Sequence, residues 1–161
     1  RATIQDYVLH QKVLDFPANL PEEMKNQRAG AFVSLHSQGQ LRGCIGTIGP
    51  TTDSLAEEIR QNAISAATED PRFAPLRPDE LADLEISVDI LSPPEPIQSK
   101  DQLDPQRYGV IVSRGYRRGL LLPRLEGVDS VDYQIAIALQ KAGIHPDEPY
   151  KLERFEVVRH E

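Results

Sequence analysis

The chain has one cysteine, one methionine and no tryptophan among its 161 residues. A single cysteine excludes an intramolecular disulfide and a cysteine-rich zinc site. A lone thiol is a liability in an oxidising compartment, so cytoplasmic residence is expected. Long apolar runs are also missing. None approaches the roughly 18 residues that a membrane span needs, and Arg1-Ala2-Thr3-Ile4-Gln5 lacks the apolar stretch of a signal peptide. The chain opens without an initiator methionine, as a trimmed or an incompletely recorded terminus does. Basic charge is scarce: 18 Lys and Arg against 25 Asp and Glu leave a net charge of -7. That balance argues against a general nucleic-acid binder, which gains affinity by neutralising many phosphates, although a local basic patch is compatible with an acidic whole. A glycine-rich phosphate loop, a His-Glu-x-x-His pair, a serine nucleophile elbow and an EF-hand loop are all absent, which removes the easily recognised enzyme classes.

Hydrophobic residues make up 39% of the chain and charged residues 27%, the balance of a folded domain rather than a disordered or membrane protein. One domain, residues 1–161, is expected to bury a single core. Ile4, Tyr7, Val8 and Leu14 have near-helical spacing that Pro17 ends. Ala31–His36 alternates as a strand, and a second strand runs from Gln40 to Ile48 before Gly49-Pro50. Ser54-Leu55-Ala56-Glu57 is a capping-box pattern at the head of a helix with the stripe Leu55, Ile59, Ala63, Ala66 and Ala67. Its Glu57, Glu58 and Glu69 are expected on the exposed face. Pro78-Asp79-Glu80-Leu81 predicts a helical turn. Leu84–Leu91 alternates as a strand, and Pro93-Pro94-Glu95-Pro96 is a stiff connector. Two strands follow around Arg114-Gly115-Tyr116. Val131, Ile135, Ala138, Leu139 and Ala142 then mark a helix that Gly143 caps. One last strand is expected from about Leu152 to Arg159. Hairpins interspersed with helices predict an α+β fold, with a largely antiparallel sheet and flanking helices.

The first hairpin is the segment with chemistry in it. A two-residue loop, Gln38-Gly39, needs positive φ at Gln38; a three-residue loop, Ser37-Gln38-Gly39, leaves that burden to glycine and is preferred. This register sets Leu35 opposite Leu41, Ser34 opposite Arg42, Val33 opposite Gly43 and Phe32 opposite Cys44. Ala31, Val33, Leu35, Leu41 and Ile45 then share an apolar face, and Ser34, His36, Arg42 and Cys44 the other. Arg42 and Cys44 lie about 6.5–7 Å apart along one face, where the arginine favours the reactive thiolate. Gly43 and Gly46 leave room beside them for a packed backbone or a ligand. The competing reading is an inert core thiol, a common fate for free cysteine. A Cys44–His36 dyad is disfavoured, because four residues of strand separate the two by roughly 13 Å. His10, His145, Asp89 and Glu85 remain open as the base.

Leu41-Arg42-Gly43-Cys44-Ile45-Gly46 resembles the hexapeptide of the AMMECR family, named for a candidate chromosomal region of the AMME syndrome. The resemblance continues through Gly30–Leu35, Asp70-Pro71-Arg72-Phe73-Ala74-Pro75-Leu76, Glu80-Leu81, Glu85–Pro94, Gly119-Leu120-Leu121-Leu122-Pro123 and Lys141-Ala142-Gly143, in the family's order. It implies a single domain with a larger and a smaller subdomain, and a hexapeptide near a cleft between them. It implies no settled activity and leaves the cofactor unknown. It also points to Memo-like and radical-SAM proteins as pathway partners, since family members are often fused to them or encoded beside them. Two family tryptophans are missing: Gly127-Val128-Asp129 stands at one place and Pro149-Tyr150 at the other. Packing is the simplest role for those aromatics.

Arg72 has two readings: a corner residue paired with Asp70, or a group that reaches an anionic substrate. Arg114, Arg117, Arg118 and Arg124 around the second hairpin suit either a solvated rim or carboxylate and phosphate recognition. Three functions follow. In a cysteine-dependent enzyme acting on a small molecule or peptide, Cys44 is the nucleophile and Arg42 its activator. In a non-catalytic binding module, Ser34, Arg42 and Arg72 hold a ligand over Gly43 and Gly46. In a scaffold, the hexapeptide serves folding alone.

Overall fold

The computed structural model describes residues 1–161. The fold is α+β, as expected, but its strands form two four-stranded sheets rather than one. The chain divides into two compact units, Arg1–Leu91 with Val158–Glu161, and Ser92–Val157.

The first unit holds α1 (Ala2–His10), α2 (Glu22–Asn26), β1 (Ala31–Ser37), β2 (Gln40–Gly46), α3 (Leu55–Thr68), a 3-10 turn (Pro78–Asp83), β3 (Leu84–Leu91) and β8 (Val157–His160). Its sheet runs β2-β1-β3-β8. Val33 and Leu35 pack with Ala63, Ala66, Ala67, Leu76, Leu81 and Leu84 to form its core. The alanine-rich stripe lets α3 lie close to the strands, and Ser54 caps the helix by accepting from the Glu57 amide.

The second unit holds β4 (Glu95–Ile97), β5 (Gly109–Arg114), β6 (Arg117–Leu121), α4 (Val131–Ala142) and β7 (Lys151–Phe155), with sheet order β4-β7-β5-β6. Val110, Val112, Leu121, Ile135, Ala138 and Leu139 fill its core. Gly143 caps α4 in the left-handed region, as expected. Val128 lies in this core and Tyr150 packs against it.

Four expectations need correction. The last strand is two: β7 and β8 belong to different sheets, and Glu156 separates them. The proline-rich connector contains β4, a short strand on β7 that Pro96 tolerates because it lies at the sheet edge. Glu58 is not on an exposed face but 1% exposed. It accepts from the hydroxyls of Thr47, Thr51 and Thr52 and from the amides of Thr51 and Thr52, tying the chain that leaves β2 to the head of α3. Burial alone would raise its carboxyl, but these bonds overcome that and hold it at about 2.

The fourth correction is the hairpin register. The turn is the two-residue one, with positive φ at both Gln38 and Gly39, and Ser37 pairs with Gln40 and His36 with Leu41. Carried on unbroken, that register would set Arg42 beside Leu35 in the core. A bulge inserts Arg42 as an extra residue instead, so Leu35 pairs with Gly43, Ser34 with Cys44, Val33 with Ile45 and Phe32 with Gly46. Leu41 consequently leaves the apolar face, joins His36 and is 40% exposed. The twist of this tight turn matches the strands' own, which offsets the unfavourable φ at Gln38.

Candidate functional site

β1 lies between β2 and β3, pairing Ser34 with Cys44 on one side and Ser87 on the other. Ser34, Cys44 and Ser87 therefore form a row on the sheet face turned away from α3. Phe32 and Asp89 form the next row on one side, His36 and Glu85 on the other. The Cys44 side chain is half-buried, with its sulfur 3.3 Å from the Ser34 hydroxyl.

Cys44 sits at a position whose amide and carbonyl point away from β1, on the free edge of β2. The amide donates to Asp70 Oδ2 at 2.9 Å, and the carbonyl accepts from Arg72 Nη2 at 3.3 Å. The Asp-Pro-Arg corner thus satisfies the strand edge as a neighbouring strand would. Arg72 also grips Asp70 through Nε at 3.0 Å and Nη2 at 2.8 Å. The Asp70 side chain is 2% exposed and that of Arg72 56%. The Arg72 guanidinium, against the opposing effect of burial and helped by the Cys44 and Arg72 amides, keeps the Asp70 carboxyl well below the usual carboxylate range. Asp70 in turn raises Arg72, to which a negative charge at Cys44 adds.

Arg42 does not project with the thiol as the sequence suggests. Its guanidinium chelates Glu80 of the 3-10 turn, Nε to Oε1 at 2.8 Å and Nη2 to Oε2 at 3.1 Å. Arg42 and the Arg77 amide together lower the Glu80 carboxyl against burial. The Phe73 ring lies 5.9 Å from the Arg42 guanidinium and 5.4 Å from that of Arg72. Two sequence motifs, Leu41–Gly46 and Asp70–Phe73, are thereby interlocked. The space beside the glycines is filled: a Cβ on Gly43 would overlap the Ala66 carbonyl oxygen of α3, and one on Gly46 the Phe32 ring.

The new register also changes the distance argument for His36. It lies two residues, not four, from the residue facing Cys44, a diagonal of about 7–8 Å between backbones. Among the other candidate bases, His10 pairs with Asp6 and His145 with Asp147, both on exposed side chains. Asp89 is buried and held by Arg159 Nε at 2.9 Å and Nη2 at 2.8 Å. Arg159 was not among the residues the sequence singled out; it is 70 positions from Asp89 and has no local signature. In the second hairpin, Arg117 and Arg114 brace Glu148, and Arg118 lies 3.7 Å from Glu153. These arginines serve the hairpin rim. No group of three or more His, Cys, Asp or Glu is arranged to hold a metal ion, and no helix is long and apolar enough to cross a membrane.

A family model described as AMMECR1 matches residues 1–160. A protein of Thermotoga maritima is 56% identical over 98% of this chain and 91% of its own length. A longer protein of Clostridium acetobutylicum is 51% identical over 93% of this chain, which spans 32% of that relative. The crystal structure of an uncharacterised protein from Pyrococcus horikoshii superposes with a TM-score of 0.90 at 32% identity, covering 98% of this chain and 85% of that one.

Proposed function

The chain belongs to the AMMECR1 family, and from that premise we propose that it is a cysteine-dependent enzyme acting on a small molecule or peptide at residues 41–46. The observation that supports this reading is the partly buried Cys44, whose sulfur lies 3.3 Å from the Ser34 hydroxyl and whose carbonyl accepts from the Asp70-anchored Arg72. A partly open thiol with a guanidinium bonded to its own residue is an arrangement that nucleophilic cysteines use.

Acyl or amide transfer is the chemistry this set can perform. The Cys44 sulfur gives up its proton and bonds to a carbonyl carbon, and the bond from that carbon to the leaving group breaks. The leaving group departs with the proton, and water then cleaves the thioester to restore the thiol. Ser34 donates to the sulfur, and His36 carries the proton. Arg72 orients an anionic part of the substrate. Arg42 with Glu80, Gly43 and Gly46 hold the strand in shape. Cytoplasmic residence goes with this reading, since a reducing compartment preserves a free thiol.

A panel of small acyl thioesters and peptide esters, read by intact mass and turnover, tests it. A mass increment on Cys44 and a loss of turnover of about 100-fold or more in Cys44→Ala are expected. Turnover that survives Cys44→Ala sinks the reading, as does a panel that leaves no adduct and no product. The exposed Arg72 guanidinium favours a second reading, a non-catalytic anion- or peptide-binding module. In that case Cys44→Ser keeps ligand affinity while Arg72→Ala loses it. In a third reading, a scaffold in a modification pathway, the interlocked motifs serve folding and Cys44→Ala costs stability alone.

A further inference from the structure

α3 covers only part of the first sheet. It packs on β1 and β2, so the side chains beneath it are sealed, and Ala31 and Val33 are fully buried. Their partners on β3, Ile90 and Val88, lie on the same face yet stay half-buried. β8 continues that uncovered face. Its Val158 is 61% exposed, while the next residue, Arg159, turns to the other face and holds Asp89. The result is a groove of about 540 Å³, floored by Val88, Ile90 and Val158 and walled by Leu55 and Ile59 of α3 and Met24 of α2. Single apolar side chains on a surface are ordinary, but a set that converges on one concavity marks a binding surface.

Two features decide what fits there. The first is the edge. β3 is the one neighbour of β8, whose outer edge carries backbone N–H and C=O groups with no strand to take them. At Cys44 the opposite edge of the sheet is closed by the Asp70–Arg72 corner. A segment added to β8 in extended form alternates its side chains, so every second one lies beside Val158 at the mouth of the groove. The second feature is charge. Glu22 is taken up by Lys25 and Asn26, but Glu23 on the groove rim has no ion pair or hydrogen bond. With a net charge of -7, two copies of the chain repel one another and a basic partner is drawn in.

We infer that the β8 edge and the groove beside it form a docking site for an extended, basic segment of another protein. Alternate apolar side chains of that segment enter the groove, and a lysine or arginine between them meets Glu23. Backbone pairing with β8 supplies affinity and the groove supplies selectivity. Cys44 lies on the other edge strand, so the site stands whether or not that thiol is a nucleophile.

A short fluorescent peptide of alternating valine and lysine, titrated with the full chain at low salt and read by anisotropy, tests this. Saturable binding is expected, weaker by about 10-fold or more when the same residues are arranged in two blocks or when glutamate replaces lysine. Amides of an extended peptide point to alternate edges, so N-methylation of one alternate set should abolish binding and methylation of the other should spare it. Val158→Asn, which keeps the charge at an exposed position, should weaken binding about 5- to 10-fold. Glu23→Gln should weaken it about 2- to 3-fold at low salt and not at high salt. No saturation up to about 1 mM overturns the site. Equal binding of the alternating and blocked peptides, or binding that survives both methylations, would be general attraction to an acidic protein and also overturns it. Unchanged binding in Val158→Asn places the peptide elsewhere and does the same. A concentration-dependent dimer that Val158→Asn dissolves, seen by light scattering, would give the edge to a second copy and overturn the basic partner.

Discussion

Gly43 is the residue at which β2 and α3 come closest, because its missing side chain leaves room for the Ala66 carbonyl. Gly43→Ala should cost about 2–3 kcal/mol by overpacking, read as a lowered midpoint in chemical denaturation. The clash is with helix backbone, which cannot swing aside as a flexible side chain could. Arg42 and Arg72 should separate cleanly in thiol chemistry. Arg42 is spent on Glu80, so Arg42→Gln should change the rate of Cys44 alkylation by iodoacetamide within about twofold, whereas Arg72→Gln should slow it severalfold. A larger effect from Arg42 than from Arg72 would restore the pairing that the sequence suggested. Candidate residues were legible here as a set: Cys44, Ser34, Arg72 and Arg42 do cluster around two strands and a corner. Their roles were not, because a side chain as long as arginine can reach several partners and only packing chooses among them.

At the scale of elements, α3 and the loop leaving β2 are joined by one carboxylate. Glu58 is held at about 2, below the ordinary 4.5, so the unfolded chain binds its proton more readily than the folded one does. Stability from this group is fully present above about pH 4.5 and is lost as pH falls towards 2, an amount of roughly 3 kcal/mol. Glu58→Gln should remove that part of the acid sensitivity, so that urea-unfolding free energies of variant and wild type converge on acidification. Parallel curves across this window would mean that the threonine hydroxyls bind the carboxyl no better than water does. Helix caps and strand alternation were readable in advance, since Ser54, Gly143 and the Leu84–Leu91 pattern act within a few residues. The burial of Glu58 was not readable, because helical periodicity marks its position as polar and says nothing of a loop that folds back over it. The hairpin register failed for a related reason. A turn preference at Gln38 is a local term of modest size, outweighed by the match between the tight turn's twist and that of the strands, and the bulge then keeps Arg42 out of the core.

Across the whole molecule, the Asp89–Arg159 pair ties β8 to β3 from 70 residues away. Arg159→Leu leaves a buried carboxylate without its cation and should cost about 3–5 kcal/mol. Hydrogen exchange in β3 and β8 should accelerate more than in the strands of the second sheet. Equal acceleration everywhere would mean that this pair is not specific to the first sheet.

The residues alone determined an α+β chain, most of its helices and strands, the family, and the strip of β2 on which the candidate site is centred. All of these rest on interactions that span a few neighbours, or on motifs intact in the chain. Tertiary structure decided that there are two sheets, that the final segment serves both, that Arg42 faces Glu80, that Arg72 closes the Cys44 edge of β2 and that Arg159 holds Asp89. Those outcomes depend on which distant groups lose water together. A carboxylate and a guanidinium 70 positions apart leave no periodic trace until folding buries one against the other.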